Sequence, residues 1–99
     1  MKVIITAAAE ADLENIADFI AKDNPRRAIT FVQELVAASH RLAEYPEAYP
    51  FVPNHENMGI RRRPYGNYLI FYAIRSQSIT VERILNGAQD YKTILFPDD

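Results

Sequence analysis

An α+β fold of order β-α-α-β-β-β, an antiparallel sheet with a helical hairpin packed on one face, is what this 99-residue sequence predicts. Three observations carry it. Apolar residues recur at three- and four-residue spacing through residues 7–44, interrupted once by "DNP". Residues 58–85 hold three runs rich in β-branched and aromatic residues, separated by "PYGN" and "RSQS". One more β-branched run, "KVIIT", precedes the helices. Helices grouped together and strands grouped together are the order of an α+β domain.

The elements follow in turn. Residues 2–6 read as a short buried strand, and Thr6 is placed to cap the next helix. From Ala7 to about Lys22, Ala9, Leu13, Ile16, Ala17 and Ile20 share one helical face. The carboxylates Glu10, Asp12, Glu14 and Asp18 read as the solvated side, weighted toward the helix start where the dipole favours them. Asn24 then reads as an N-cap and Pro25 as the first residue of a second helix reaching about Glu44. Its buried stripe is Ala28, Phe31, Val32, Leu35, Ser39 and Leu42. A connection of a few residues makes the two helices antiparallel neighbours. Phe19, Ile29 and Val36 lie about a quarter-turn off the main faces. They either pack helix on helix or form a groove for a partner segment.

Three prolines in "YPEAYPFVPNHEN", residues 45–57, exclude a regular element and predict a surface loop with its aromatics pinned to the body. Strands are expected at Met58–Arg63, Asn67–Arg75 and Ile79–Leu85. In the middle one both alternating sets, Tyr68, Ile70, Tyr72, Ile74 and Leu69, Phe71, Ala73, are apolar, so both faces are covered or one awaits a cover. In the last, alternation fits Ile79, Val81 and Leu85 but leaves Arg83 on their face and Ile84 opposite, which a bulge would explain. The tail reads as a turn and a short apolar piece, Ile94–Phe96.

Composition narrows the chemistry. There is no cysteine, so neither disulfides nor thiolate metal sites are available, which suits a reducing cytoplasm. No apolar run approaches the ~18 residues of a membrane span, and Val3–Ala9 is too short for the core of an export signal. His40 and His55 stand alone and form no metal motif. Ser39, Ser76 and Ser78 lie outside any nucleophile elbow, and three scattered glycines make no phosphate loop. No residue is assigned a catalytic role, and no cofactor or metal is expected.

What stands out is Arg61, Arg62 and Arg63, set just ahead of "YLIFYAI" in a chain of net charge −2. On a strand, Arg61 and Arg63 point one way and Arg62 the other, so a one-sided patch needs Arg75 or Arg83 from neighbouring strands. The run is either an edge strand whose charges deter aggregation or a set of guanidiniums for phosphate or carboxylate.

A series of motifs spans essentially the whole chain: "AAEADLENIADFIAKDNPRRAITFVQEL", the "L-x-x-Y-P" exit, "GIRRRPYGNYLIFYAI" and "ITVERILNGAQDY". Together they resemble the RelE/ParE toxin superfamily, the ParE branch above all. The resemblance implies a single ParE-like toxin domain over residues 1–99. It implies a cytoplasmic bacterial toxin of a type II toxin–antitoxin system, neutralised in a hetero-oligomer with a ParD-like antitoxin. DNA gyrase would be its target, with no cofactor, no membrane and no sequence-specific DNA binding by this chain alone. An antitoxin tail would fold onto the chain. Arg61, Arg62, Arg63 and Arg75, with Arg83 beside them, would meet its acidic groups or the target. Phe19, Ile29, Val36, Tyr68, Ile70 and Tyr72 would make the apolar contact.

The RelE branch implies instead a ribosome-dependent RNase, which uses basic residues of the sheet and a late arginine and tyrosine. Here Ala88 and Ile94 stand near those two places, with Arg83 and Tyr91 the nearest substitutes. ParE-like tails commonly read close to "H-G-A-R-D", where this chain has Asn86 and Gln89. A relative that binds its antitoxin without being toxic is the third reading.

Overall fold

The computed structural model describes residues 1–98. The elements are β1 (Lys2–Ile5), α1 (Ala7–Ala21), α2 (Pro25–Arg41), β2 (Arg61–Tyr65), β3 (Tyr68–Arg75), β4 (Ser78–Asn86) and α3 (Tyr91–Leu95). Both expected caps form: the Ala9 N–H donates to Thr6 Oγ1 at 3.1 Å, and the Arg27 N–H to Asn24 Oδ1 at 3.1 Å. The first strand of the hairpin starts later than its sequence suggests. Glu56–Met58 forms a 3-10 turn, and Gly59 leaves it at φ 74°, a left-handed conformation that glycine adopts without strain.

The sheet order is β1-β4-β3-β2. β2, β3 and β4 are antiparallel as expected, whereas β1 lies parallel to β4, so the sheet is mixed rather than wholly antiparallel. The helical hairpin covers one face. Leu13, Ile16, Phe31 and Leu35 meet Ile70, Tyr72, Ile79, Val81 and Ile84 in one cluster. Ser39, inside α2, keeps its hydroxyl satisfied by donating to the Leu35 carbonyl at 2.9 Å. The opposite face is closed by the loop and the tail: Val52, Ile60 and Phe96 pack on Phe71, Ala73 and Leu85. Both faces of β3 are therefore covered by the chain itself.

A bulge sits where the pattern broke. Phe71 faces Arg83 and Tyr72 faces Val81, leaving Glu82 as the extra residue of β4. The bulge turns Ile84 onto the helix side with Ile79 and Val81, and sends Leu85 to the other face. This is the bulge to which the broken alternation points, and it reverses the faces that strict alternation gives those two residues, since one inserted residue flips every later side chain.

The hairpin tip is tied to α2. Tyr65 donates to Glu34 at 2.7 Å, and Arg27 forks the same carboxylate at 2.6 and 3.3 Å. The Arg27 hydrogen bond, then that of Tyr65, holds the Glu34 carboxyl below the usual glutamate value. A depressed carboxyl contributes stability above its unfolded pKa and loses it as pH falls through the lower folded value. Glu34→Gln is expected to flatten the acid end of the stability–pH curve, below about pH 4, and to leave the neutral range with a smaller change; urea titrations across pH measure it. Thr6→Ala removes both the cap of α1 and a bond to β4, and should cost about 1–2 kcal/mol by the same method.

Candidate functional site

β4 is longer than its partner. β1 pairs with Ser78–Val81 only, and beyond that point α1 takes the place of the missing strand. The Thr6 N–H donates to the Val81 carbonyl at 3.2 Å, and its hydroxyl to the Glu82 carbonyl at 3.0 Å. Asp12, one turn and a half along α1, then accepts the Ile84 N–H at 2.9 Å. The same carboxylate takes a fork from Arg83, Nε and Nη2 both at 2.8 Å. Thr6 at the cap of α1 and Asp12 within it thus satisfy an edge that a strand would otherwise pair. Arg83 is held above its usual pKa, first by the hydrogen bond to Asp12.

Asp12 is therefore no part of the solvated side of α1. It is 6% exposed. The spacing held the clue: position 12 is three after Ala9 and four before Ile16, on the buried face. Its partner was the arginine that strand alternation left out of place.

Beside this pair a cleft of about 510 Å³ opens between α1 and the tail. Asn15 and Phe19 line it from α1, Arg83 and Asn86 from β4, Tyr68 from β3 and Ile94 from α3. A second cleft of about 390 Å³ adjoins it through Arg83 and Ile94 and reaches Arg75. Of the residues expected to bind a partner, the structure brings Phe19, Tyr68 and Arg83 into one site, with Arg75 next door. Asn15, Asn86 and Ile94 escaped the sequence reading as lining residues, because nothing in spacing shows where a five-residue tail helix lands. The "NGAQ" turn beside them is closed on itself: Gln89 accepts the Asn86 N–H at 3.0 Å, and Asn86 accepts the Ala88 N–H at 2.8 Å.

The arginine run is dispersed. Arg61 points to the helix side, donates to the Glu47 and Tyr49 carbonyls at 3.2 and 2.8 Å, and lies 4.1 Å from the Phe51 ring. It pins the proline-rich loop. Arg63 points the same way, over Tyr49 and Tyr65 at 5.3 and 5.5 Å. Arg62 points to the other face and donates to the Tyr91 hydroxyl at 2.7 Å. Arg75 pairs with Glu82 at 3.0 Å while staying largely exposed. Ile70 and Tyr72 are wholly buried under the helices, and the Tyr72 hydroxyl donates to the Pro46 carbonyl at 2.7 Å. Neither presents surface to a partner in this fold. Val36 is half-buried against the helix-side cluster, whereas Phe19 and Ile29 are 66% and 63% exposed. Among the described residues, no group of three or more His, Cys, Asp or Glu is placed to hold a metal ion. No described helix is long and apolar enough to cross a membrane.

A family model described as "ParE toxin of type II toxin-antitoxin system, parDE" matches residues 3–91. The chain belongs to the ParE toxin family. Its fold is also that of a solved chain titled "Chromosomal ParDE TA system from P. aeruginosa", at 22% identity and a TM-score of 0.76, covering 87% of this chain and 95% of that one. No curated protein matches it by sequence. In this ParE-family chain the Asp12–Arg83 fork should carry much of the α1–β4 contact. Asp12→Ala strands the Ile84 N–H and unpairs Arg83, at an expected cost of about 3 kcal/mol in chemical denaturation. Asp12→Asn keeps an oxygen for Ile84 and should cost less.

Proposed function

We propose that this chain is the toxin of a type II toxin–antitoxin pair, held inactive in the cytoplasm by direct binding of a ParD-like antitoxin and acting, when free, by inhibiting DNA gyrase. The match to the ParE toxin family over residues 3–91 carries the reading. Geometry supports action by binding. Ala88 stands near the place of the late arginine that RNA cleavage would need to stabilise a pentavalent phosphate, and Arg83, the nearest substitute, is turned toward Asp12 by two hydrogen bonds. Arg75 of β3 and the exposed Phe19 and Ile29 offer charge and apolar surface to a macromolecule.

One observation favours a second reading. Arg62 and Tyr91 meet on the sheet face opposite the helices, a guanidinium beside a phenol, which are the residue types of a RelE-like RNase. Purified chain added to gyrase and supercoiled plasmid separates the two. Stalled or cleaved gyrase–DNA complexes, relieved by antitoxin, are expected. Intact gyrase function together with cut message on translating ribosomes overturns the gyrase reading in favour of the RNase. No effect in either assay leaves a relative that only binds its antitoxin.

A further inference from the structure

We infer that the antitoxin seats a segment in the cleft between α1 and the tail, with an acidic side chain against Arg83 and an apolar one between Phe19 and Ile94. This rests on the reading of the chain as an antitoxin-bound toxin and names the surface used. Arg83 is the reason for the acid. Asp12 engages Nε and Nη2 only, which leaves the two hydrogens of Nη1, and the side chain is 31% exposed where it lines the cleft. A guanidinium already oriented by one carboxylate loses little freedom on taking a second, and a partly dry wall strengthens the bond.

The backbone adds direction. A strand residue in an antiparallel pair turns its N–H and C=O to the same edge. The Ile84 N–H points at Asp12, so the Ile84 carbonyl faces the same side, where the cleft opens and a main-chain donor can reach it. Apolar surface lines the cleft beside this polar floor: Phe19 from α1 and Ile94 from α3, both exposed, with Tyr68 half-buried from β3. Large apolar groups around a desolvated charge are the arrangement of interface anchors. The side-chain amides of Asn15 and Asn86 line the same cleft and can meet the segment's own peptide groups.

The dissociation constant of the antitoxin encoded beside this chain tests it, with wild type and variants compared. Phe19→Ala, and Ala88→Trp, which fills the cleft from its wall, should each weaken binding about tenfold or more. Asn15→Asp should weaken it several-fold at low salt while Asn15→Lys does not, because the incoming side chain is acidic. Tyr45→Ala, outside the cleft and 74% exposed, should stay within about twofold. All four positions are exposed, so an unchanged thermal midpoint is expected for each. Wild-type affinity in Phe19→Ala and Ala88→Trp overturns the inference and leaves the toxin reading standing. Absence of binding by the wild-type chain sinks both. A dimer of the free chain that Phe19→Ala dissolves, at unchanged antitoxin affinity, gives the cleft to a second copy and overturns the inference.

Discussion

The fold turns on a carboxylate placed where a strand runs out. β4 continues past its parallel neighbour, and a sheet edge within the body of a protein cannot leave its backbone groups unpaired without a cost of about 1–3 kcal/mol each. Thr6 and Asp12 supply the missing partners from the first turns of α1. Arg83 then neutralises the carboxylate that this solution buries. One side chain therefore fixes the helix against the sheet, satisfies the edge and orients the guanidinium that lines the cleft. The bulge at Glu82 belongs to the same device. It lets Arg83 and Ile84 follow each other with the guanidinium reaching α1 and the isoleucine entering the helix-side core.

The remaining arginines show how a chain of slight negative charge uses a cationic cluster in two ways. Arg61 braces the proline-rich loop, which also bridges backbone to backbone with Arg61 at Phe51, and Arg62 holds α3 by its tyrosine. Guanidiniums suit such work because several donors in one plane can meet carbonyls and ring faces together. Arg75 keeps more of its surface toward water. The charge seen as one block in the sequence is thus divided between internal bracing and outward display, and the alternation of the strand makes that division.

The helices were legible because their signals are local: two capping side chains, a proline at a first turn, and apolar stripes of three and four. The hairpin was legible for the same reason. Asp12 was misassigned because an acid at a helix start usually faces water, and only its partner on β4, 71 residues on, decides otherwise. The break in alternation at Arg83 and Ile84 points to a bulge, but only the pairing with β3 shows which residue is extra and so which face Ile84 and Leu85 take. The parallel seat of β1 and the cover given by α3 depend on where remote segments land, which periodicity does not encode. The expected binding residues divided accordingly. From sequence, an apolar strand offers Ile70 and Tyr72 as surface; the structure uses both as core.

Amide hydrogen exchange at Ile84 in the free chain tests the central claim most directly. If Asp12 closes the edge of β4, this amide exchanges only through opening of the α1–β4 contact, with protection close to that of Ile70 and Val81 in the core, and Asp12→Ala abolishes it. Fast exchange of Ile84 in the unaltered chain, at the rate of an exposed edge, would contradict the account.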